Sequence, residues 1–108
     1  KWVNRLDGQT ILLARQFDRV LGFISVTESG YIDLAFVRPQ SQRKGILRSL
    51  YEELENITVR SGLVRLSVHA SLMAEPAFTR MGFMIVGEET VEVGGQTLSR
   101  FEMAKDIV

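Results

Sequence analysis

The chain has no cysteine and a single histidine, His69. Disulfides, a thiolate nucleophile and a Cys-based metal centre are therefore excluded. One imidazole also leaves a zinc site short of its usual ligands, so no metal is expected. There is no excess of either charge, with 13 Lys and Arg against 13 Asp and Glu. That balance argues against a general binder of nucleic acid or of membrane surfaces, which usually carries a basic excess. No apolar run approaches the roughly 18 residues that would span a bilayer. The first residues lack the layout of a signal peptide, so a cytoplasmic protein is the expectation. Prolines number two, Pro39 and Pro76, and there is neither a repeat nor a low-complexity linker. Residues 1–108 make one domain, long enough for a modest core.

What the chain does contain is organised around one stretch, Val37-Arg38-Pro39-Gln40-Ser41-Gln42-Arg43-Lys44-Gly45-Ile46-Leu47. A strand ends at Val37, a short turn follows, and a helix starts near Lys44. The first turn of a helix has N–H groups without an internal acceptor, and its dipole places partial positive charge there. Such an end receives phosphate or pyrophosphate readily. Gly45 has no Cβ and lets a ligand approach the backbone. Arg43 and Lys44 add formal charge. On residues alone this is an anion-binding turn between a strand and a helix. The Gly-x-x-x-x-Gly-Lys-Ser/Thr loop of nucleotide triphosphate binders is absent.

The remaining elements follow from spacing. Trp2 and Leu6, four apart and followed by Asp7-Gly8, read as the last turn of a helix with a glycine stop. A chain that opens inside a helix suggests a piece of a longer protein. Residues 10–16 and 20–27 read as strands about a turn at Asp18-Arg19, and Ser29-Gly30 closes a second hairpin. Residues 31–37 form the next strand, with Ile32, Leu34 and Phe36 on one face. The spacing of Leu47, Leu50, Leu54 and Ile57 predicts a helix over 44–61, stopped at Gly62. Residues 63–70 then form a strand parallel to 31–37, by a right-handed crossover. A shorter helix occupies 71–81, regular from about Glu75 because Pro76 fits only a first turn. Gly94-Gly95 joins strands 83–93 and 96–105, setting Val93 opposite Gln96, Val91 opposite Leu98 and Glu89 opposite Arg100. The fold class is α/β: a mixed, mostly antiparallel sheet with helices on both faces.

Two motifs in this order resemble the GNAT superfamily of acyl-CoA-dependent N-acetyltransferases. Gln42-Arg43-Lys44-Gly45-Ile46, preceded by Val37-Arg38-Pro39, matches the family's Gln/Arg-x-x-Gly-x-Gly/Ala turn. Ser71, Ala74, Phe78, Gly82 and Phe83 stand at the spacings of Asn-x-x-Ala-x-x-x-Tyr-x-x-x-Gly-Phe. The likeness spans roughly residues 10–105, and the stretch His69–Phe78 is similar to a bacterial subgroup whose acceptors are mostly unassigned. Three positions depart from the pattern: Leu47 replaces Gly or Ala, Ser71 replaces Asn, and Phe78 replaces a Tyr that often protonates the departing thiolate. Set against the resemblance, the sequence as read is expected to lack the family's opening strand and two helices, and those helices usually form part of the acceptor site.

The resemblance implies acetyl-CoA as co-substrate. The backbone amides of Gln42, Arg43, Lys44, Gly45, Ile46 and Leu47 would hold its pyrophosphate. The pantetheine arm would lie where strand 31–37 splays from strand 63–70, bonded to backbone at Phe36 and Val37. The thioester would sit near Ala35, Phe36 and Ser71, with Phe78 either a wall of that pocket or part of the core. Catalysis needs a base for the ammonium proton. Asp33, an acid on an apolar strand beside the splay, is the first candidate, because burial there would raise its proton affinity; the alternative is an exposed or ion-paired Asp. His69 is the second, since imidazole titrates near neutrality; it points away from the apolar face of Leu66, Val68 and Ala70, together with Ser67 and Ser71. Ser71 either bonds the thiol or pantetheine, or caps the following helix. Tyr31 and Tyr51 offer phenols as substitute acids.

The reaction implied is acetyl transfer from acetyl-CoA to an amine of a small molecule, peptide or protein. A non-catalytic acyl-CoA-binding or interaction module, or a fragment completed by another chain, are the alternatives that Leu47, Ser71, Phe78 and the short N-terminus keep open. A homodimer is compatible with the sequence; nucleic acid and membrane are not expected partners.

Overall fold

The computed structural model describes residues 2–6 through their backbone and residues 8–108 in full. Strands form at Trp2–Leu6 (β1), Gln9–Gln16 (β2), Arg19–Thr27 (β3), Tyr31–Val37 (β4), Arg65–Ser71 (β5), Met84–Val93 (β6) and Gln96–Asp106 (β7). Helices form at Ile46–Arg60 (α1) and Glu75–Arg80 (α2), and Pro39–Ser41 makes one 3-10 turn. The strands join in one sheet in the order β1-β2-β3-β4-β5-β7-β6. Every neighbouring pair is antiparallel except β4 and β5, which are parallel. The α/β class and the mixed, mostly antiparallel sheet are as the spacing predicts.

Three local expectations change. Residues Trp2–Leu6 are not a helix end but an edge strand, paired from Trp2↔Leu13 to Leu6↔Gln9. Two apolar residues four apart are a weak helical signal, and the ladder offered by β2 overrides it; Asp7 of the expected stop lies outside the described residues. The first hairpin turns at Phe17-Asp18 rather than Asp18-Arg19, since Gln16 pairs with Arg19. A two-residue hairpin loop favours positive φ, and Phe17 adopts +57° with its ring in solvent. The Gly94-Gly95 hairpin has the expected register, Val93↔Gln96, Val91↔Leu98 and Glu89↔Arg100.

The third change positions the site. In the β3–β4 ladder Val26 faces Ile32, but Ser25 faces Leu34, so Asp33 is an extra residue. This bulge shifts the alternation by one. Ile32 is buried in the core, whereas Leu34 and Phe36 turn to the opposite face and are about half exposed. The three residues therefore do not share a face. The Ser25 hydroxyl accepts the Leu34 N–H at 3.1 Å, which satisfies a donor at the irregularity. Beyond the bulge β4 also leaves β5: only Tyr31↔Ser67 and Ile32↔Val68 are paired. By contrast β5 is bonded to β7 over seven residues, Arg65 to Ser71. The splay is thus a departure of β4 from an otherwise continuous sheet.

Both helices lie on one face rather than on both. Leu50, Tyr51 and Leu54 of α1 and Phe78 of α2 belong to one buried cluster with Leu12, Ile24, Val26, Ile32, Leu66, Val68 and Met103 of the sheet. Opposed residues in a ladder point the same way, and Ile24↔Leu12, Ile32↔Val68 and Val68↔Met103 place that face in register across the sheet. Each fully buried Leu contributes about 1.5–3 kcal/mol. The Arg48 guanidinium donates to the Arg80 carbonyl at 3.0 Å, tying the start of α1 to the end of α2. On the other face, Phe23, Leu34, Phe36, Tyr31 and His69 are covered by no helix among the described residues.

Candidate functional site

Where β4 leaves β5 the chain turns into α1. Arg38 anchors the end of β4 to β3 through its N–H to the Leu21 carbonyl at 2.7 Å and its guanidinium to the Val20 carbonyl at 3.2 Å. The Ser41 N–H then closes on the Arg38 carbonyl at 2.8 Å, and the Gln42 side-chain amide donates back to the Val37 carbonyl at 3.1 Å. Two residues next adopt left-handed backbone, Arg43 at φ +65° and Gly45 at φ +77°. For glycine that costs little; for Arg43 it is a strained conformation held by the turn. A Cβ on Gly45 would meet nothing within 4 Å, so the space before it is open. No side chain caps α1, and no acid lies in its first turn. Its N–H groups and dipole are left for another partner.

A cleft of about 510 Å³ opens in front of this helix end. Its walls are Ala35, Phe36 and Val37 of β4, Ser41 to Arg43 and Gly45 of the turn, Ile46 to Arg48 of α1, and Ser71, Met73, Ala74, Ala77, Arg80 and Met81 around α2. Eight expected binding residues meet here: Phe36, Val37, Gln42, Arg43, Gly45, Ile46, Leu47 and Ser71. Leu47 is half-buried and also packs against the core, so its side chain is shared between the cleft wall and the interior. Lys44 is exposed and outside the lining. Phe78 is 3% exposed, edge-on to Phe83 with ring centroids 5.3 Å apart; it is a core residue, not a cleft wall. Its position on the inner side of α2 buries it against the sheet. The Ser71 hydroxyl accepts the Ala74 N–H at 3.2 Å, capping the turn that leads into α2.

The expected bases stand apart. Asp33 is exposed at the bulge, its carboxylate turned toward β2, where it accepts from the Gln9 amide at 3.1 Å. The burial expected of it is not found. His69 lies on the open face of β5, two residues before Ser71. The Tyr31 hydroxyl meets its Nδ1 at 2.9 Å, and the Glu89 carboxylate stands 3.8 Å from its Nε2. Glu89 is in turn bonded to Arg100. Tyr51 does not stand in the cleft: it is buried beneath β7, with Lys105 Nζ 5.1 Å from its ring centre. Burial first, and then Glu55, push its hydroxyl well above the ordinary phenol pKa.

Arg80 is missing from the sequence reading. It is an ordinary last-turn cation of a short helix, and only packing of α2 beside α1 brings it to the cleft. Glu89 was legible as the partner of Arg100 in the hairpin register, but not as a neighbour of His69. A second cavity, of about 430 Å³ at the far end of α1 beside Thr27, Thr58 and Leu63, brings none of the candidate residues together. Among the described residues no group of three or more His, Cys, Asp or Glu forms a metal-binding cluster, and no helix is long and apolar enough to cross a membrane.

Comparison with known proteins places this geometry in context. A family profile described as "Acetyltransferase (GNAT) domain" matches residues 1–106. The chain is 34% identical over 103 residues to the uncharacterized N-acetyltransferase YafP of Escherichia coli (strain K12), covering 95% of this chain and 65% of that protein. A GCN5-related N-acetyltransferase from Rhodopseudomonas palustris superposes with a TM-score of 0.85 at 29% identity, over 94% of this chain and 63% of the other. The chain thus spans just under two thirds of the length of both relatives. An aminoglycoside 6'-N-acetyltransferase complexed with coenzyme A superposes with a TM-score of 0.80 at 16% identity, over 94% of this chain and 74% of the other, a likeness of fold.

Proposed function

Because the chain belongs to the GNAT acetyltransferase family, we propose that it transfers an acetyl group from acetyl-CoA to the amine of a small molecule, peptide or protein. The observation that carries this reading is the cleft between splayed β4 and the uncapped start of α1. The pyrophosphate would bond to the free N–H groups of residues 43–48, with Arg43, Arg48 and Arg80 supplying charge along the wall. The backbone groups that β4 and β5 no longer exchange beyond Ile32 and Val68 are free to bond a pantetheine amide in place of a strand.

The thioester would then end at the splay, beside Phe36 and Ser71. A freed backbone N–H on β4 suits the oxyanion that forms when the amine attacks the carbonyl. Coenzyme A approaches from the helix side, so the amine must arrive from the open face, where His69 stands. Alignment of two bound substrates contributes roughly 7–11 kcal/mol to lowering the barrier. His69 is the better placed base; Asp33 is committed to Gln9 and exposed. The phenol lost at Phe78 is not essential, since a thiol of pKa about 8.5 leaves tolerably as its anion. Titration calorimetry with coenzyme A and acetyl-CoA tests the reading: saturable binding is expected, and no binding at millimolar ligand overturns it. Thiol release with a panel of amines then identifies the acceptor.

A further inference from the structure

On the open face, four side chains from four strands form one chain of contacts that ends beside the splay. The Tyr31 hydroxyl of β4 lies 2.9 Å from His69 Nδ1 of β5, with the two rings edge-on at 5.5 Å. His69 Nε2 lies 3.8 Å from Glu89 of β6, and Glu89 is held by Arg100 of β7. Glu102 of β7 stands directly opposite His69 on the same face. The imidazole keeps about a quarter of its surface exposed. Resting on the acetyltransferase reading, we propose that Tyr31 is the catalytic group that takes the acceptor's proton, that His69 stores it, and that Glu89, fixed by Arg100, is a positioning residue that sets the imidazole tautomer.

The tautomer follows from the neighbours. A carboxylate facing Nε2 favours a proton on that nitrogen, because a lone pair there would face an anion. Nδ1 is then the acceptor, and the Tyr31 O–H must be the donor. The phenol oxygen keeps lone pairs directed away from the imidazole and available to an incoming N–H. In the reaction, nitrogen attacks the thioester carbonyl, an N–C bond forms, and the attacking nitrogen becomes positively charged. Its proton passes to the Tyr31 oxygen as the Tyr31 proton passes to His69 Nδ1. The C–S bond then breaks, its electron pair leaving with sulfur. The stored proton returns by the same route to the thiolate, giving amide and free thiol with no external acid or base consumed. Tyr31 thereby supplies from β4 the phenol that Phe78 lacks on α2.

The single histidine makes the test direct: the 15N side-chain spectrum of the full chain contains one imidazole. Neutral His69 is expected as the Nε2–H tautomer, mixed with the other form in Tyr31→Phe and Glu89→Gln. A wild-type proton on Nδ1 overturns the proposal without any knowledge of the acceptor. Steady-state thiol release is measured with 1,6-diaminohexane and with a tripeptide bearing a free N-terminus. Tyr31→Phe is expected to lower kcat on the order of 10²-fold at unchanged KM for acetyl-CoA. Glu89→Gln lowers it less, Glu89→Asp restores part of it, and Glu92→Gln on the same hairpin changes nothing. Unchanged kcat in Tyr31→Phe overturns the relay. Calorimetric affinity for coenzyme A is expected to stay constant across these variants, and a variant that loses it overturns the relay; absence of binding by the wild type itself reports failure of the acetyltransferase reading.

Discussion

Replacing Lys105 by Met tests how the helix layer is fastened to the sheet. Lys105 Nζ donates to the Glu55 carboxylate at 2.9 Å and to the Met81 carbonyl at 2.8 Å, and lies over the Tyr51 ring. It joins β7 to the middle of α1 and the end of α2. The two charged side chains are only 23% and 27% exposed, so water screens them partly. Met keeps the length of the aliphatic stem and removes both donors. A polar group left without its partner costs about 1–3 kcal/mol, more when charged. Partial exposure argues for the low end at each of the two acceptors, giving a loss of about 2–3 kcal/mol. Burial alone would raise the Glu55 carboxyl above its ordinary 4.5, but the Lys105 hydrogen bond, the nearby Tyr51 hydroxyl and the Lys105 charge outweigh it, and the net shift is downward. A carboxyl lowered by folding adds stability above its unfolded pKa, and that stability is lost as pH falls through the folded value. The pair therefore contributes fully at pH 7 and fades below 4.5, where only the bond to Met81 remains. Urea unfolding of wild type and Lys105→Met at pH 7 and in acid measures this. The difference should be about 2–3 kcal/mol at pH 7 and narrow to about 1 kcal/mol in acid. A difference under about 0.5 kcal/mol at pH 7, or one that does not narrow, refutes the reasoning, as does an equal narrowing in the Glu55→Gln background.

Three further outcomes are expected. In Gly22→Ala the new Cβ would come 2.6 Å from the Phe36 carbonyl, so β4 must shift at the residues that line the cleft; a loss of about 1–3 kcal/mol in urea unfolding is expected, with weaker coenzyme A binding by calorimetry. Phe78→Ala should cost about 3–5 kcal/mol in the same unfolding assay, as removal of a core ring does; a loss of coenzyme A affinity at full stability would instead make it a cleft wall. Arg80→Ala should leave unfolding within about 0.5 kcal/mol while weakening coenzyme A in calorimetry, with a shallower dependence of affinity on salt as one phosphate-facing charge is removed.

Much of the architecture was legible because it depends on neighbours in the chain. Period and stop signals marked β3, β4, α1, β5 and the final hairpin, and Gly94-Gly95 fixed the β6–β7 register, since a two-residue loop leaves only one pairing. The turn at residues 42–47 was legible too, because an uncapped helix start, a glycine and a basic pair are a local arrangement. The segment at residues 2–6 misled because its helical spacing was too short to outweigh a neighbouring strand.

Other features lay beyond any local pattern. The bulge at Asp33 exists only relative to β3, because an extra residue is defined by what faces it. It alone sends Leu34 and Phe36 away from Ile32 and marks where β4 parts from β5. Placing α2 beside α1 made Phe78 a core residue and brought Arg80 to the cleft. The contacts among Tyr31, His69, Glu89 and Arg100 join four strands, Tyr31 and His69 lying 38 residues apart. Composition and spacing by themselves determined most of the elements, their order from residue 9 onward, and the glycine-containing basic turn before α1. Which residues share a face, and so which groups stand within hydrogen-bonding reach of each other, was decided by the tertiary structure, because strand register and helix packing set contacts between residues whose local sequences carry no information about each other.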